Sequence, residues 1–259
     1  MAPETIDVLR SALPLPRIED ARRILCVQPH PDDVDIGVGA AIAKLARLGV
    51  EVVYLTVTDE SVGTLDRGLT PSSLAALRRE EQEKAARVLG VKEVRWLGYP
   101  DAGDYSEHAV RQDVIRTIRQ LRPDLVVTVD PNLPYESHPD HLRCGRATAA
   151  AVLLYNFPHI RTDPAVDEAF TPYAMKGIAY FHTAHPNAYV AVGEEDWQRR
   201  FEAIACHQSQ VDGPTLELYK FYFDLKAREY GATAGCERAE AFRVLTPQMM
   251  HCFVDAARI

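Results

Sequence analysis

Apolar and polar positions along the chain follow two alternating rhythms. Short apolar runs at Ile24–Gln28, Glu51–Val57, Val94–Leu97 and Leu125–Val129 have the length and β-branched content of buried strands. Between them lie stretches with apolar residues at helical spacing: Gly37–Leu48, Leu74–Leu89, Val110–Leu121 and Cys144–Tyr155. Gly90 stops the second of these helices. Pro71-Ser72-Ser73, closing a loop from Asp59 rich in Ser, Thr, Gly and Asp, marks its start. Residues 160–175 read as a loop insertion. Strand character returns over Lys176–Thr183 and Ala188–Val192, and a helix is predicted over Glu194–His207. The last fifty residues keep neither rhythm cleanly.

Strands separated by helices of this length imply right-handed βαβ units. The predicted fold class is therefore α/β: a doubly wound, Rossmann-like, mostly parallel sheet with helices on both faces, plus a smaller C-terminal α/β extension. The 259 residues fit a single domain, with its core over about 22–160 and the extension over about 161–259. At 47% hydrophobic and 25% charged, the composition excludes disorder, collagen and coiled coil. A net charge of −8 provides no basic field for phosphate backbones, so no nucleic-acid partner is expected. No membrane association is expected either, because no stretch approaches the roughly 18 to 20 apolar residues that span a bilayer. The first twenty residues, with Pro3, Pro14, Pro16 and acidic side chains, do not read as a secretory signal. Five scattered cysteines without a C-x-x-C pair point to reduced thiols and a cytoplasmic setting, and against a thiolate zinc site.

In a doubly wound sheet, ligands bind beyond the carboxyl ends of the strands. Two segments at such ends share an unusual composition: Gln28-Pro29-His30-Pro31-Asp32-Asp33 after the first strand, and Asp130 to His141 after the fourth. Each centres on His-Pro-Asp. Proline stiffens the turn and holds the preceding residue extended, so successive polar side chains can be aimed at one point. Two imidazoles and a carboxylate meeting there suit a catalytic zinc ion with an open position. The competing reading, turn residues with Asp capping the next helix, suits either segment alone better than it suits the pair.

His30-Pro31-Asp32-Asp33 together with His138-Pro139-Asp140-His141 resembles the LmbE-like/PIG-L superfamily of zinc-dependent N-deacetylases, which remove acetyl from N-acetylglucosamine units. The resemblance runs from about Ile24 to Phe157, including Arg78-x-x-Glu81 and Tyr99-Pro100-Asp101, and resumes weakly at Ala203 to Gln210 with His207-x-Ser209-Gln210. Val27-Gln28-Pro29-His30, Thr56-Val57-Thr58-Asp59 and Val129 to Glu136 are most similar to the diacetylchitobiose deacetylases. One departure is Gly39-Ala40, where the family usually has Gly-Gly.

The resemblance implies Zn2+ as cofactor, with His30, Asp33 and His141 as its ligands, and Asp32 as the general base. His138, if protonated, would stabilise the oxyanion, with Asp140 orienting His138 or His141. Arg78 and Asp101 would contact sugar hydroxyls; read from the residues alone, Arg78 equally suits a helix-face pairing with Glu81 or Gln82, and Asp101 a turn carboxylate. A homo-oligomer, trimeric or hexameric, is also implied. General chemistry agrees with these roles: zinc lowers the pKa of its water to about 7, and a neighbouring carboxylate takes the proton.

Trp96 and Tyr135 are candidate stacking platforms for a sugar face, with core packing the stronger reading of each. His207 suits either a pocket wall or a surface helix end, and His182 and His185 fall at a late strand end within reach of the pocket. Three rivals remain. A nucleotide-binding module is suggested by Gly37-Val38-Gly39, but Ile42 replaces the third glycine and Asp32-Asp33 would repel phosphate. A non-catalytic metal- or sugar-binding module would not need Asp32. A deacetylase of a glucosaminyl-malate or glucosaminyl-inositol conjugate would share every catalytic residue and differ only in its loops and last third.

Overall fold

The structure, a computed structural model, describes residues 3–259. Its centre is a sheet of β1 (Arg23–Gln28), β2 (Glu51–Thr58), β3 (Glu93–Tyr99), β4 (Leu125–Val129), β5 (Gly177–Phe181), β6 (Ala188–Ala191) and β7 (Ala239–Leu245). The strand order is β3-β2-β1-β4-β5-β7-β6. The first five strands run parallel, and β7 is antiparallel to both β5 and β6. Almost every residue of β1, β2, β4 and β5 is buried, as expected where helices cover both faces of a parallel sheet.

The connecting helices are α2 (Asp33–Arg47), α3 (Pro71–Leu89), α4 (Glu107–Leu121) and α5 (Pro139–Leu154). They follow α1 (Pro3–Ala12), and after them come α6 (Pro164–Ala169), α7 (Glu194–Ile204) and α8 (Gly213–Ala234). Helix α2 packs with α3 and α7, and α4 packs with α5. Among the described residues, no helix is long and apolar enough to cross a membrane.

Local chemistry explains the boundaries, including those that differ from the sequence reading. Thr70 and Ser73 form a capping box, Pro71 sits in the first turn, and Gly90 ends α3 in the left-handed region at φ +80°. Helix α2 begins four residues before Gly37, at Asp33, and breaks its own regularity at Val38 (φ −147°). Helix α5 begins at Pro139 rather than Cys144, because the His138 ring caps it by accepting a hydrogen bond from the Asp140 amide at 3.3 Å. Histidine is not among the usual capping residues, so the cap carries no sequence signal, although Pro139 in the first turn does. The segment read as a loop over 160–175 contains α6, capped by Asp163. The unreadable last fifty residues form α8 and β7; α8 carries apolar residues all round, and β7 pairs with strands far earlier in the chain, such as Leu245 with Ile178.

Strands β1 and β4 are neighbours, with Val27 beside Thr128. Chain order runs outward from this pair in opposite directions, so the crevice at their carboxyl ends is the topological switch point. Both His-Pro-Asp segments emerge there.

Candidate active site

The turn after β1 is held in an unusual conformation. Asp32 has φ +111°, a region that costs a non-glycine residue about 1–3 kcal/mol unless its surroundings over-determine it. Those surroundings are buried amides and a guanidinium. Gln82 Oε1 accepts from the Asp32 amide at 3.0 Å and from Gln28 Nε2 at 2.8 Å, while Gln82 Nε2 donates to Asp35 at 3.0 Å. Gln28 Oε1 accepts from the Val34 amide at 3.1 Å. Arg78 Nη2 donates to Asp32 Oδ2 at 2.8 Å.

Next to Asp32, Asp33 lies between two imidazoles. Its Oδ2 accepts from the His30 amide at 2.8 Å and stands 3.3 Å from His30 Nδ1. Its Oδ1 is 3.2 Å from His141 Nε2. The far nitrogens of both rings also face carboxylates. His30 Nε2 is 3.4 Å from Asp101 and 3.4 Å from Asp140, and His141 Nδ1 is 3.2 Å from Glu136. The His138 ring stands edge-on to His30 at 4.6 Å between centroids. Nitrogens of His30, His138 and His141 lie within 4.8 Å of one another, as do ligand atoms of His30, Asp101, His138 and Asp140. These clustered imidazoles and carboxylates are able to hold a metal ion.

The electrostatics follow from the packing. Burial works against charge on His30, but Asp101, Asp140 and Asp33 outweigh it and raise its pKa well above that of an ordinary imidazole. His141 is raised in the same way by Asp33. Burial would raise Asp33, yet His141 and His30 hold it well below the usual carboxylate range. His138 moves the other way, lowered by burial and by the charges of its two neighbours. Asp32 is raised, because burial exceeds the pull of Arg78. A carboxylate with a raised pKa beside a site able to hold a metal is equipped to accept and return a proton.

Several expectations need correction. Arg78, expected to contact sugar hydroxyls, is fully buried with all five N–H groups occupied: by Glu60 at 2.6 Å, Glu81 at 2.7 Å, His207 at 3.3 Å, Asp32, and the Pro31 carbonyl. No donor is left for a ligand, and the side chain instead ties the Asp32 turn to α3. His207 is neither a pocket wall nor a surface residue; it is buried between Arg78 and Asp35, 2.9 Å from the latter. Asp140 faces His30 first and stands 3.9 Å from His138, held by the Tyr105 hydroxyl at 2.7 Å and the Ala102 amide at 2.8 Å. Tyr135 is not a core residue: it is completely exposed, at φ +68°. Trp96 is covered by the Arg79 guanidinium at 4.6 Å. His185 is exposed, whereas His182 lines a cavity. Asp101 does reach the cluster, and its Oδ2 also accepts from the Val62 amide at 3.2 Å.

Sequence reasoning missed Glu60, Gln82, Asp35 and Glu136. Glu136 was within reach, five residues before His141 in the same segment. Glu60 and Asp35 carry no spacing signal, since their partners come from distant parts of the chain.

The fold and the cluster thus define a doubly wound α/β protein with an imidazole–carboxylate site at its switch point. The profile described as PIG-L, GlcNAc-PI de-N-acetylase, matches residues 25–152. The diacetylchitobiose deacetylase of Thermococcus kodakarensis is 34% identical over 232 residues, 90% of this chain and 86% of that one. A solved N,N′-diacetylchitobiose deacetylase from Pyrococcus horikoshii, complexed with its inhibitor MPG, superposes with a TM-score of 0.88. It is 36% identical, and the match covers 98% of this chain and 97% of that chain. A probable N-acetyl-α-D-glucosaminyl L-malate deacetylase 2 of Bacillus anthracis is 29% identical over 80% of this chain and 89% of that one. The chain belongs to the PIG-L family of de-N-acetylases. It is accordingly an enzyme, a hydrolase acting on an acetamide.

Proposed function

We propose that the protein removes acetyl from N-acetylglucosamine units of N,N′-diacetylchitobiose or a short chitooligosaccharide, with zinc held by His30, Asp33 and His141. The observation that carries the metal assignment is the second layer of carboxylates. A ligating imidazole characteristically gives its other nitrogen to a carboxylate, which sets the tautomer and orientation. Asp101 and Asp140 do this for His30, and Glu136 for His141. His30 Nδ1 and His141 Nε2 are left turned toward Asp33, making the nitrogen–oxygen donor set that suits a catalytic zinc. When bound, zinc polarises an amide carbonyl and acidifies water.

The remaining roles belong to the chain. Asp32, with its raised pKa, takes a proton from the attacking water and returns it to the leaving amine. His138 Nδ1 is used as a helix cap, so the neutral ring keeps its proton on Nε2. It can therefore donate to the oxygen that becomes negative without being charged itself. Asp101, 3.4 Å from His30 Nε2, accepts from a sugar hydroxyl. The chitooligosaccharide assignment is supported by the extent of similarity to two diacetylchitobiose deacetylases. Similarity to the glucosaminyl-malate deacetylase keeps that conjugate as the second substrate reading.

The proposal extends to a homo-oligomer in a reducing, cytoplasmic setting. Exposed Leu218, Phe221 and Leu225 on α8 and five free cysteines support it. The direct test compares acetate release from N,N′-diacetylchitobiose by zinc-reconstituted and chelator-stripped protein. Zinc-dependent release is expected. No release from zinc-loaded protein would reject the substrate and turn attention to the glucosaminyl-malate conjugate.

A further inference from the structure

A partly open cavity of about 220 Å³ is lined by the end of β5, the first turns of α2, and parts of α7, α8 and β7. Gly37 on its wall is one helical turn beyond Asp33, and Leu133, also on the wall, belongs to the segment that leads to His138. Helix α2 can approach so closely only because residue 37 is glycine. A Cβ there would collide with the Phe181 ring and stand 3.1 Å from His182 Nε2.

His182 is the unexplained residue. It takes the left-handed conformation at φ +51°, and its ring packs against Phe181 at 5.1 Å between centroids. Burial acts most strongly on its titration, with the charges of Asp33 and His141 pulling in opposite senses. Burial, the largest of these, pushes its pKa down to about 4, so the ring is neutral at working pH with one donor and one acceptor to offer. Left-handed backbone costs a non-glycine residue free energy, and the half-buried ring, although packed on Phe181, makes no hydrogen bond among the described residues.

The other walls indicate the kind of ligand. Aromatic rings from Tyr222, Phe223 and Tyr230 alternate with the polar tips of Thr183 and Lys226. The charges are paired internally: Lys226 with Glu229 at 2.6 Å, and Arg200 with Glu240 at 2.9 Å. Arg200 Nε keeps no hydrogen-bond partner, but both cations are already neutralised by carboxylates, so an anion is disfavoured, and a purely apolar group meets too many polar atoms. A neutral pyranose, with apolar ring faces and a rim of hydroxyls, matches both kinds of surface.

We infer that this cavity receives the second, non-reacting sugar of the substrate and that His182 is the hydrogen-bonding residue that recognises it. This rests on the N-acetylglucosamine reading above. The test measures kcat/KM on N,N′-diacetylchitobiose and on N-acetylglucosamine for wild type, His182→Ala and Tyr222→Ala. Tyr222 is half exposed and keeps the test open if His182→Ala does not fold. The disaccharide-to-monosaccharide ratio should fall about tenfold or more in each variant, chiefly through KM. As a readout apart from turnover, disaccharide titrated calorimetrically into Asp32→Ala protein should bind about tenfold more weakly once His182→Ala is added. An unchanged ratio together with unchanged binding overturns the inference, as do equal losses on both sugars. Wild type inactive on both sugars, with no disaccharide binding, is a different result, which removes the substrate reading itself.

Discussion

The Arg78 guanidinium reaches Asp32 at 2.8 Å while holding Glu60 and Glu81 at 2.6 and 2.7 Å. One fully buried cation thus faces three carboxylates and anchors the strained turn that carries the proposed base. Burial and the Asp32 charge push Glu60 well above the usual carboxylate range, a measure of how crowded the negative charge is. Replacing Arg78 with Met leaves these carboxylates without their counter-ion. A loss of about 3–5 kcal/mol in unfolding free energy is expected, the scale for breaking a buried pair. Denaturant midpoints with unchanged slope would measure it, and a near-neutral substitution would refute the anchoring role.

Asp32→Ala should keep its zinc and lose at least about 10²-fold in kcat, the usual scale for removing a general base. Metal analysis of the purified variant separates this outcome from loss of the site. Near wild-type turnover would sink the role assigned to Asp32.

His141→Ala should lose zinc and activity together, because it removes one of three proposed ligands and leaves Glu136 and Asp33 facing each other across the gap. The measurement is zinc stoichiometry after dialysis against a weak chelator. A fully loaded variant would overturn the ligand set.

Acid stability depends on a pair far from the cluster. Asp167 is half-buried, which by itself raises its pKa, but the Thr162 amide and hydroxyl and Arg119 outweigh that and hold it below the usual carboxylate range. A depressed folded-state pKa adds stability that is complete above the unfolded value of about 3.9 and is lost as pH falls through the folded one. Asp167→Asn should therefore be less stable than wild type by about 1–3 kcal/mol at pH 7. The gap should close toward pH 3, as followed by urea unfolding at several pH values. A gap independent of pH would show that the charge contributes nothing.

The Gly39-Ala40 departure from the usual Gly-Gly has a local account. Ala40 is completely buried on α2, where its amide and that of Ala41 donate to Glu240 at 3.3 and 2.6 Å. The small methyl fits the helix, and no positive φ is required there.

Local chemistry in the chain was enough to specify the α/β class, the first four strands and the two His-Pro-Asp segments. Each depends on neighbours in sequence: apolar runs of strand length, helical spacing, and prolines that stiffen turns. Those same segments contain His30, Asp32, Asp33, His138 and His141, so the heart of the site was legible as well. Tertiary structure decided what each residue faces. Arg78 looked like a ligand-binding side chain because nothing near it in sequence reveals Glu60 or His207, which close around it from 18 and 129 residues away. His138 could not be seen as a helix cap, and β7 could not be placed between β5 and β6, because antiparallel pairing depends on partners far along the chain. Periodicity reports which face of an element is buried. Which distant group occupies a buried donor is settled only when the helices dock, since burial makes an unpaired charge too costly to leave.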